Sequence, residues 1–251
     1  GHYLDDAALA REIHDIHVAS RRTYGAPRVS GQLANRGRRH STKRVARIMR
    51  ECGLVGVHGR KRWRRGRRPD TAPAPDLLGR DFTAERSNQR WVADITEFGC
   101  WDGKLYLAGI VDLHDRSIVG WSMGQRQTTD LVVNALVMAL SRRMPDGDLL
   151  HHADRGAPYT SLEFTNRLAD WGLAASYSRV GDCFDNAAME STWATLKKEL
   201  RHLHGDWTKL TRSQLRTALF DYIEAFYNRQ RHQARLDHRT PAETYARSRA
   251  A

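Results

Sequence analysis

Three β-rich stretches follow one another between residues 90 and 123: RWVADITEF (90–98), KLYLAGIVDL (104–113) and SIVGWSM (117–123). The turns between them, Gly99–Gly103 and His114–Arg116, are short enough only for a reversal of direction, so the spacing predicts an antiparallel meander. The middle stretch is almost wholly apolar, as a strand covered on both faces would be. Such a sheet needs helices to cover it, and the rest of the chain supplies them. Thr129 is expected to cap an apolar helix over 130–143, and DLLHHAD (148–154) reads as a fourth strand. SLEFTNRLADWG (161–172) reads as a helix, LAASYS as a short strand, and VGDCFDNAAMESTWATLKKEL (180–200) as a polar turn leading into another helix. One long helix is predicted over 212–230, with Leu215, Leu219, Tyr222, Ile223 and Phe226 on one stripe. The order βββ-α-β-α-β-α predicts an α/β arrangement in which one mixed sheet carries helices on its faces.

The chain ahead of residue 83 is different in kind. Residues 7–20 place Leu9, Ile13, Ile16 and His17 on one helical face, and Tyr24-Gly25-Ala26-Pro27 breaks that helix. A short second helix with Val29 and Leu33 turns at Gly37. Ser41 caps a third, whose stripe is Val45, Ile48, Met49 and Cys52 and whose stop is Gly53. Lys43, Arg44, Arg47 and Arg50 fall on its other faces. This is helix–turn–helix patterning, in which basic faces meet DNA; a plain three-helix bundle with a charged surface fits the same pattern.

Charge separates the two parts. Residues 1–80 carry 19 Lys/Arg against 7 Asp/Glu, whereas residues 81–251 carry 22 of each, so the net charge of +12 lies wholly in the first third. Its densest run, GRKRWRRGRR (59–68), contains Arg60, Lys61, Arg62, Arg64, Arg65, Arg67 and Arg68 with Trp63 interleaved. Such a run suits a phosphate backbone, although a solvated charge run or a localisation tag has the same composition. With PDTAPAPD behind it, the stretch from Val55 to about Phe82 reads as an extended linker. The expected organisation is a helical unit over 1–55, a basic linker over 56–82 and a core over 83–251. No uncharged apolar run approaches the roughly 18 residues of a membrane span. Three widely spaced cysteines (Cys52, Cys100, Cys183) argue against a disulfide framework and for a reducing cytosol. Residue 1 is Gly rather than Met, so the chain is expected to be a fragment or a processed form.

Three carboxylates hold special places on this map. Asp94 lies in the first strand, Asp154 just past the fourth, and Glu190 near the start of the helix after the fifth; 59 and 35 residues separate them. Each alone fits an ordinary cap, turn or first-turn acid. If the first and fourth strands are neighbours, Asp94 and Asp154 point at one spot and Glu190 can join them. Clustered carboxylates repel, and Mg²⁺, which takes hard oxygen ligands, offsets that repulsion. Two such ions about 3.5–4 Å apart can clamp the attacking and leaving oxygens of an in-line phosphoryl displacement.

WVADITEF, HHADRGAPYTS and GDCFDNAAMESTWATLKKEL resemble the three active-site blocks of bacterial insertion-sequence transposases with a retroviral-integrase-like DDE core, most closely the catalytic product of the two-frame (OrfA/OrfB) type. YIEAFYNRQRHQARLDHRTPAETY (222–245) is similar to their C-terminal signature, and RRTYGAPRVSGQLANRG to the region ahead of the core. The resemblance implies a ribonuclease-H-like α/β fold, a mixed five-stranded sheet flanked by helices and preceded by a small helix-turn-helix-like domain. It implies Asp94, Asp154 and Glu190 as catalytic metal ligands for two Mg²⁺ ions, with Mn²⁺ able to substitute. The implied activity nicks a strand at the element's terminal inverted repeats with water, then joins the freed 3′-OH to target DNA. A homo-oligomer on paired ends, working in the bacterial cytoplasm on the nucleoid, is implied as well. Lys197 lies seven residues after Glu190, on the same helical face, where it could hold a DNA phosphate; Lys198 is rotated about 100° away and reads as surface.

Departures from the family pattern are small. Ala153 and Pro158 stand where polar residues are common, Asp182 where Asn is common, and Thr192-Trp193 replaces a paired aromatic. His151 and His152 read as one core and one site-facing residue rather than metal ligands. Asp112 reads as a strand-end structural group, and Asn186 as the helix cap, with Asp185 competing for that role. Thr240-Pro241-Ala242-Glu243 is a capping box with Pro at the first helical position. Arg229, Arg231 and His232 are candidate DNA contacts. A ribonuclease-H-type nuclease that cuts without joining, or a DNA-binding regulator, are the alternative readings.

Overall fold

The computed structural model describes residues 2–57, 83–145, 147–178 and 186–250, with residues 2–4 described by their backbone alone. Arg60, Lys61, Arg62, Arg64, Arg65, Arg67, Arg68, Asp182, Cys183 and Asp185 lie outside them. Three helices come first: α1 (His2–Ala19), α2 (Ala26–Asn35) and α3 (Thr42–Glu51). Their apolar stripes close a small core in which Leu9, Ile13, Val29, Leu33 and Val45 are fully buried. Ser41 caps α3 by accepting a hydrogen bond from Arg44 N at 3.2 Å. Cys52, expected on the stripe of α3, is instead exposed, because the helix has already ended at Glu51.

The sheet follows. β1 (Arg90–Cys100), β2 (Gly103–Asp112) and β3 (Ile118–Gly124) form the meander that the short turns require. After α4 (Thr129–Arg143), β4 (Leu150–Ala153) returns beside β1 in parallel, and after α5 (Leu162–Asp170), β5 (Ala174–Tyr177) adds in parallel to β4. The resulting five-stranded mixed sheet has the order β3-β2-β1-β4-β5. The cap of α4 is Thr128 rather than Thr129, accepting from Leu131 N at 3.3 Å.

Each face of the sheet has its own core. Alternation along the strands sends Trp91, Ala93, Ala108 and Ile110 toward α4 and α5, and Val92, Leu105, Leu107 and Val111 toward the other face. There they meet α6 (Ala187–His204), α7 (Arg212–Phe220) and the segment that continues it. The single helix expected over 212–230 is not uniform. α7 passes at Asp221–Tyr227 into a π-helical stretch, marked by bonds from Asn228 N to Ile223 O and from Arg231 N to Phe226 O. Along this stretch Tyr222, Ile223, Phe226 and Tyr227 all face the core. It also sets Asn228 against the edge strand, where its amide accepts from Ile118 N (2.9 Å) and donates to Ile118 O (3.0 Å).

The C-terminal segment fastens the helical unit to the core. Gln32 and Asn35 both donate to His238 O at 3.0 Å, and Gly31 has no side chain where the His238 ring packs. Tyr24 Oη accepts from His232 N, and Arg21 pairs with Asp221. Arg231, a candidate DNA contact by sequence, is buried: its Nε and Nη2 donate to Glu199 of α6 at 2.8 and 2.9 Å. Its role here is structural. His232 is half-buried against Tyr24, whereas Arg229 is exposed. The expected capping box is present: Glu243 N donates to Thr240 Oγ1 (3.1 Å) and Thr240 N to Glu243 Oε2 (2.8 Å), opening α8 (Pro241–Ala250).

Candidate active site

Parallel pairing of β1 with β4 puts Asp94 and Asp154 at the same end of adjacent strands, since Ala93 and Ala153 are register partners. Asp154 leaves the sheet in a tight turn and accepts a hydrogen bond from Gly156 N at 2.9 Å. Glu190 arrives from above, in the first turn of α6. Asp94 is the most enclosed of the three; Asp154 and Glu190 are exposed.

Two further side chains shape the neighbourhood. The indole of Trp193, one turn along α6 from Glu190, donates from Nε1 to Asp94 Oδ2 at 3.0 Å. It can lie there because Gly109, the β2 partner of Asp94, has no side chain: a Cβ would stand 2.5 Å from the ring's Cη2. Tyr159 is buried beside the acids, its hydroxyl held well above the usual phenol range by burial and then by Asp94 and Asp154. Sequence reasoning did not assign either a place at the site. The departure from a paired aromatic at Thr192-Trp193 was the available signal for the first.

The electrostatics tie the acids to one another. Burial, then the charge of Asp154, and in smaller measure that of Glu190, push Asp94 up to about 7, against the hydrogen bonds from Ile95 N and Trp193. Lys197 is half-buried with its ammonium 5.0 Å from the centre of the Phe98 ring. Burial lowers its pKa while Asp94 and Glu97 oppose that shift. Lys197 thus belongs to the same neighbourhood, whereas Lys198 is exposed on another face. Among the described residues no group of three or more His, Cys, Asp or Glu side chains converges tightly enough to hold a metal ion. The negative charge gathered around Asp94, presented by hard carboxylate oxygens, nevertheless fits a divalent cation as a counter-charge.

Asn186 takes the N-cap position of α6, but its side chain does not cap; Nδ2 donates to Ala93 O at 3.1 Å and pins the helix to β1 beside Asp94. Both histidines of β4 are buried. His151 packs edge-on against Phe164 and is pushed down to about 3 by burial, while His152 is held by Ser176 (2.9 Å) and Ser178 (3.1 Å). Neither faces an open site. Asp112 accepts from Asn88 N, Trp91 Nε1, His114 N and Asp115 N, which fixes the turn after β2. On α3, Lys43 is exposed, but Arg44 is bonded to Asp5 and Asp6 and Arg47 to Asp6 and Glu51, so these two face acids of the chain itself.

The comparisons with known proteins agree with this architecture. Integrase core domain models match residues 84–183 and 190–247, and an HTH-like domain model matches residues 4–62. The transposase for insertion sequence element IS629 of Shigella sonnei is 37% identical over 238 residues, covering 95% of this chain and 79% of that protein. The chain belongs to the insertion-sequence transposases with an integrase core. Another relative, the insertion element IS600 31 kDa protein of Shigella sonnei, is 40% identical over 239 residues, covering 94% of this chain and 86% of that one. Among solved structures, a chain of the simian T-cell lymphotropic virus intasome aligns with a TM-score of 0.55 at 18% identity. That alignment covers 86% of this chain and 70% of the viral one, and shows a shared fold. No helix among the described residues is long and apolar enough to cross a membrane.

Gly109→Ala tests the geometry at this site. Its methyl group drives the Trp193 ring off Asp94, a packing conflict of about 1–3 kcal/mol. At about 2–4 °C per kcal/mol for a chain this size, the melting temperature is expected to fall by about 5 °C.

Proposed function

We propose that this chain is a DNA transposase that nicks one strand at the terminal inverted repeats of its element and joins the freed 3′-OH to a second phosphodiester. The observation that supports the reading is the placement of Asp94 and Asp154 at the same end of adjacent parallel strands, with Glu190 in the first turn of α6 and the charges of Asp154 and Glu190 both acting on Asp94. These three would hold the Mg²⁺ ions, with Mn²⁺ as a substitute. A bound divalent ion supplies Lewis-acid stabilisation of the phosphoryl oxygens and a more acidic water. One related solved structure, the HTLV-2 integrase catalytic core domain, is described as a complex with magnesium in trimeric form (TM-score 0.51).

The chain's own residues do the rest. Trp193 and Asn186 fix Asp94 and the start of α6, so that the acids are set before substrate arrives. Lys197 holds a DNA phosphate at the rim. Lys43 and the basic run Arg60, Lys61, Arg62, Arg64, Arg65, Arg67 and Arg68 contact further phosphates, and Arg44 and Arg47 join them where DNA displaces their pairing with Asp5, Asp6 and Glu51. Paired ends call for more than one copy of the chain on the DNA, acting on the nucleoid in the cytoplasm.

The test is incubation with a labelled duplex carrying an element end, with Mg²⁺, with Mn²⁺ and with EDTA. Nicked and joined products with either metal are expected, and none with EDTA. Nicking without joining would select the nuclease reading, and binding alone the regulator. Replacing four of the arginines in 60–68 by Gln is expected to flatten the log–log salt dependence of duplex binding by about 3.6, at about 0.9 per lost phosphate contact. An unchanged slope would remove the run from the DNA interface.

A further inference from the structure

Helix α6 has a second polar face that the acids do not use. At about 100° per residue, Glu190, Trp193 and Lys197 share one side, and Ala187, Ser191 and Thr195 form a row on the other. That second row lines a cavity of about 170 Å³, closed by the β2–β3 turn and the C-terminal segment. Arg116 enters from the turn and Arg235 from the segment. Neither has a carboxylate within ion-pair distance among the described residues, whereas the third arginine at the cavity, Arg231, is neutralised by Glu199. Gln233 also lines it.

Two guanidinium groups with no carboxylate partner among the described residues call for an anion with several acceptor oxygens. The Ser191 and Thr195 hydroxyls add donors on the helix side. Burial, and then the nearby positive charge of Arg235, lower the Arg116 pKa, and Tyr227 and Asp112 offset only part of that. We propose that this cavity binds a phosphate group, clamped by Arg116 and Arg235 and hydrogen-bonded by Ser191 and Thr195, and that the phosphate is a backbone phosphodiester of DNA. The pocket stands on its own geometry; only the choice of DNA as the source rests on the function proposed above. It would place DNA on both sides of α6, with the acids on one side and a purely positioning contact on the other.

The experiment uses the full chain in EDTA, so that binding is read without cleavage. Duplex affinity is measured across a salt series for the wild type, Arg116→Gln, Arg235→Gln and the double variant, and melting temperature is measured with and without millimolar inorganic phosphate. The double variant is expected to lose about 0.9 from the salt slope, the share of one phosphate contact. At fixed salt it is expected to bind about tenfold more weakly. Arg235→Lys restores most of the slope, because the charge returns on an exposed position. Arg116 has φ +62° in a tight turn, so Thr195→Val, which leaves that turn intact, serves as the second probe and is expected to weaken binding in the same direction. An unchanged slope together with a phosphate-induced rise in melting temperature that the double variant loses keeps the pocket and assigns it a free phosphate-bearing ligand. An unchanged slope with no phosphate effect overturns the proposal. Since no arm depends on catalysis, a protein that binds here but never cleaves still reports the site.

Discussion

Asp154→Asn and Glu190→Gln are each expected to lower metal-dependent cleavage and joining by at least about 10³-fold, with duplex affinity in EDTA within about twofold of the wild type. The magnitude follows from the several kcal/mol that metal stabilisation of a phosphoryl displacement contributes, at 1.36 kcal/mol per tenfold in rate. An amide of the same shape keeps the fold and removes the charge, and both side chains are exposed, so little packing is lost. A second readout separates a change in the site from a change in the fold. Asp154 helps hold Asp94 at about 7, so in the metal-free Asp154→Asn protein Asp94 titrates at lower pH. Carboxyl carbon chemical shifts measure this directly. Undiminished turnover in both variants would remove these acids from the chemistry, whatever the Asp94 titration does.

The second large effect lies away from the acids. Glu199 sits near the far end of α6, buried, receiving Arg231 at 2.8 Å, Arg28 of α2 at 3.3 Å and the Tyr222 hydroxyl at 2.8 Å. Glu199→Ala leaves a buried guanidinium without a partner, which costs about 3–5 kcal/mol. The melting temperature is expected to fall by about 10 °C, given about 2–4 °C per kcal/mol in a chain of this length. The pH dependence has a definite sign. Burial alone would raise the Glu199 carboxyl, but the charge of Arg231, with Arg28 after it, outweighs burial and holds the pKa below the ordinary value. Its stabilisation is therefore fully present above the unfolded pKa near 4.5 and is lost as pH falls through the lower folded value. Thermal melts between pH 3 and 7 should show the wild type converging on Glu199→Ala at the acid end. Parallel curves would show that the carboxylate charge contributes nothing.

How much of this could be read from residues alone depends on the range over which each feature is decided. The meander was legible because its strands are separated by turns too short to do anything else, and the capping box at Thr240–Glu243 because four consecutive residues suffice to make one. The acids were legible as a set only through the words around them. What escaped was decided by partners far along the chain. Arg231 looks like an exposed base after an apolar stripe, and nothing nearby announces that Glu199, 32 positions earlier, takes it inside. Asn186 has the right type and place for a cap, yet Ala93 O, 93 positions away, claims its amide. The π-helical turn at Asp221–Tyr227 cannot be seen in a stripe that also fits a regular helix. Arg44 and Arg47 read as a DNA-facing pair because the acids they meet, Asp5, Asp6 and Glu51, lie partly on another helix.

The convergence of Arg28, Arg231 and Tyr222 on Glu199 has a consequence for how such chains can be recombined. Three stretches of sequence that look like separate modules share one buried acid. A chimaera that takes residues 2–57 alone from a relative inherits a partner for Glu199 chosen elsewhere, and the mismatch falls on the helix that also carries Glu190. Exchange of the helical unit together with residues 187–204 and 221–240 keeps the cluster whole. The three stretches behave as one heritable unit, and the natural place to cut this protein lies outside all three.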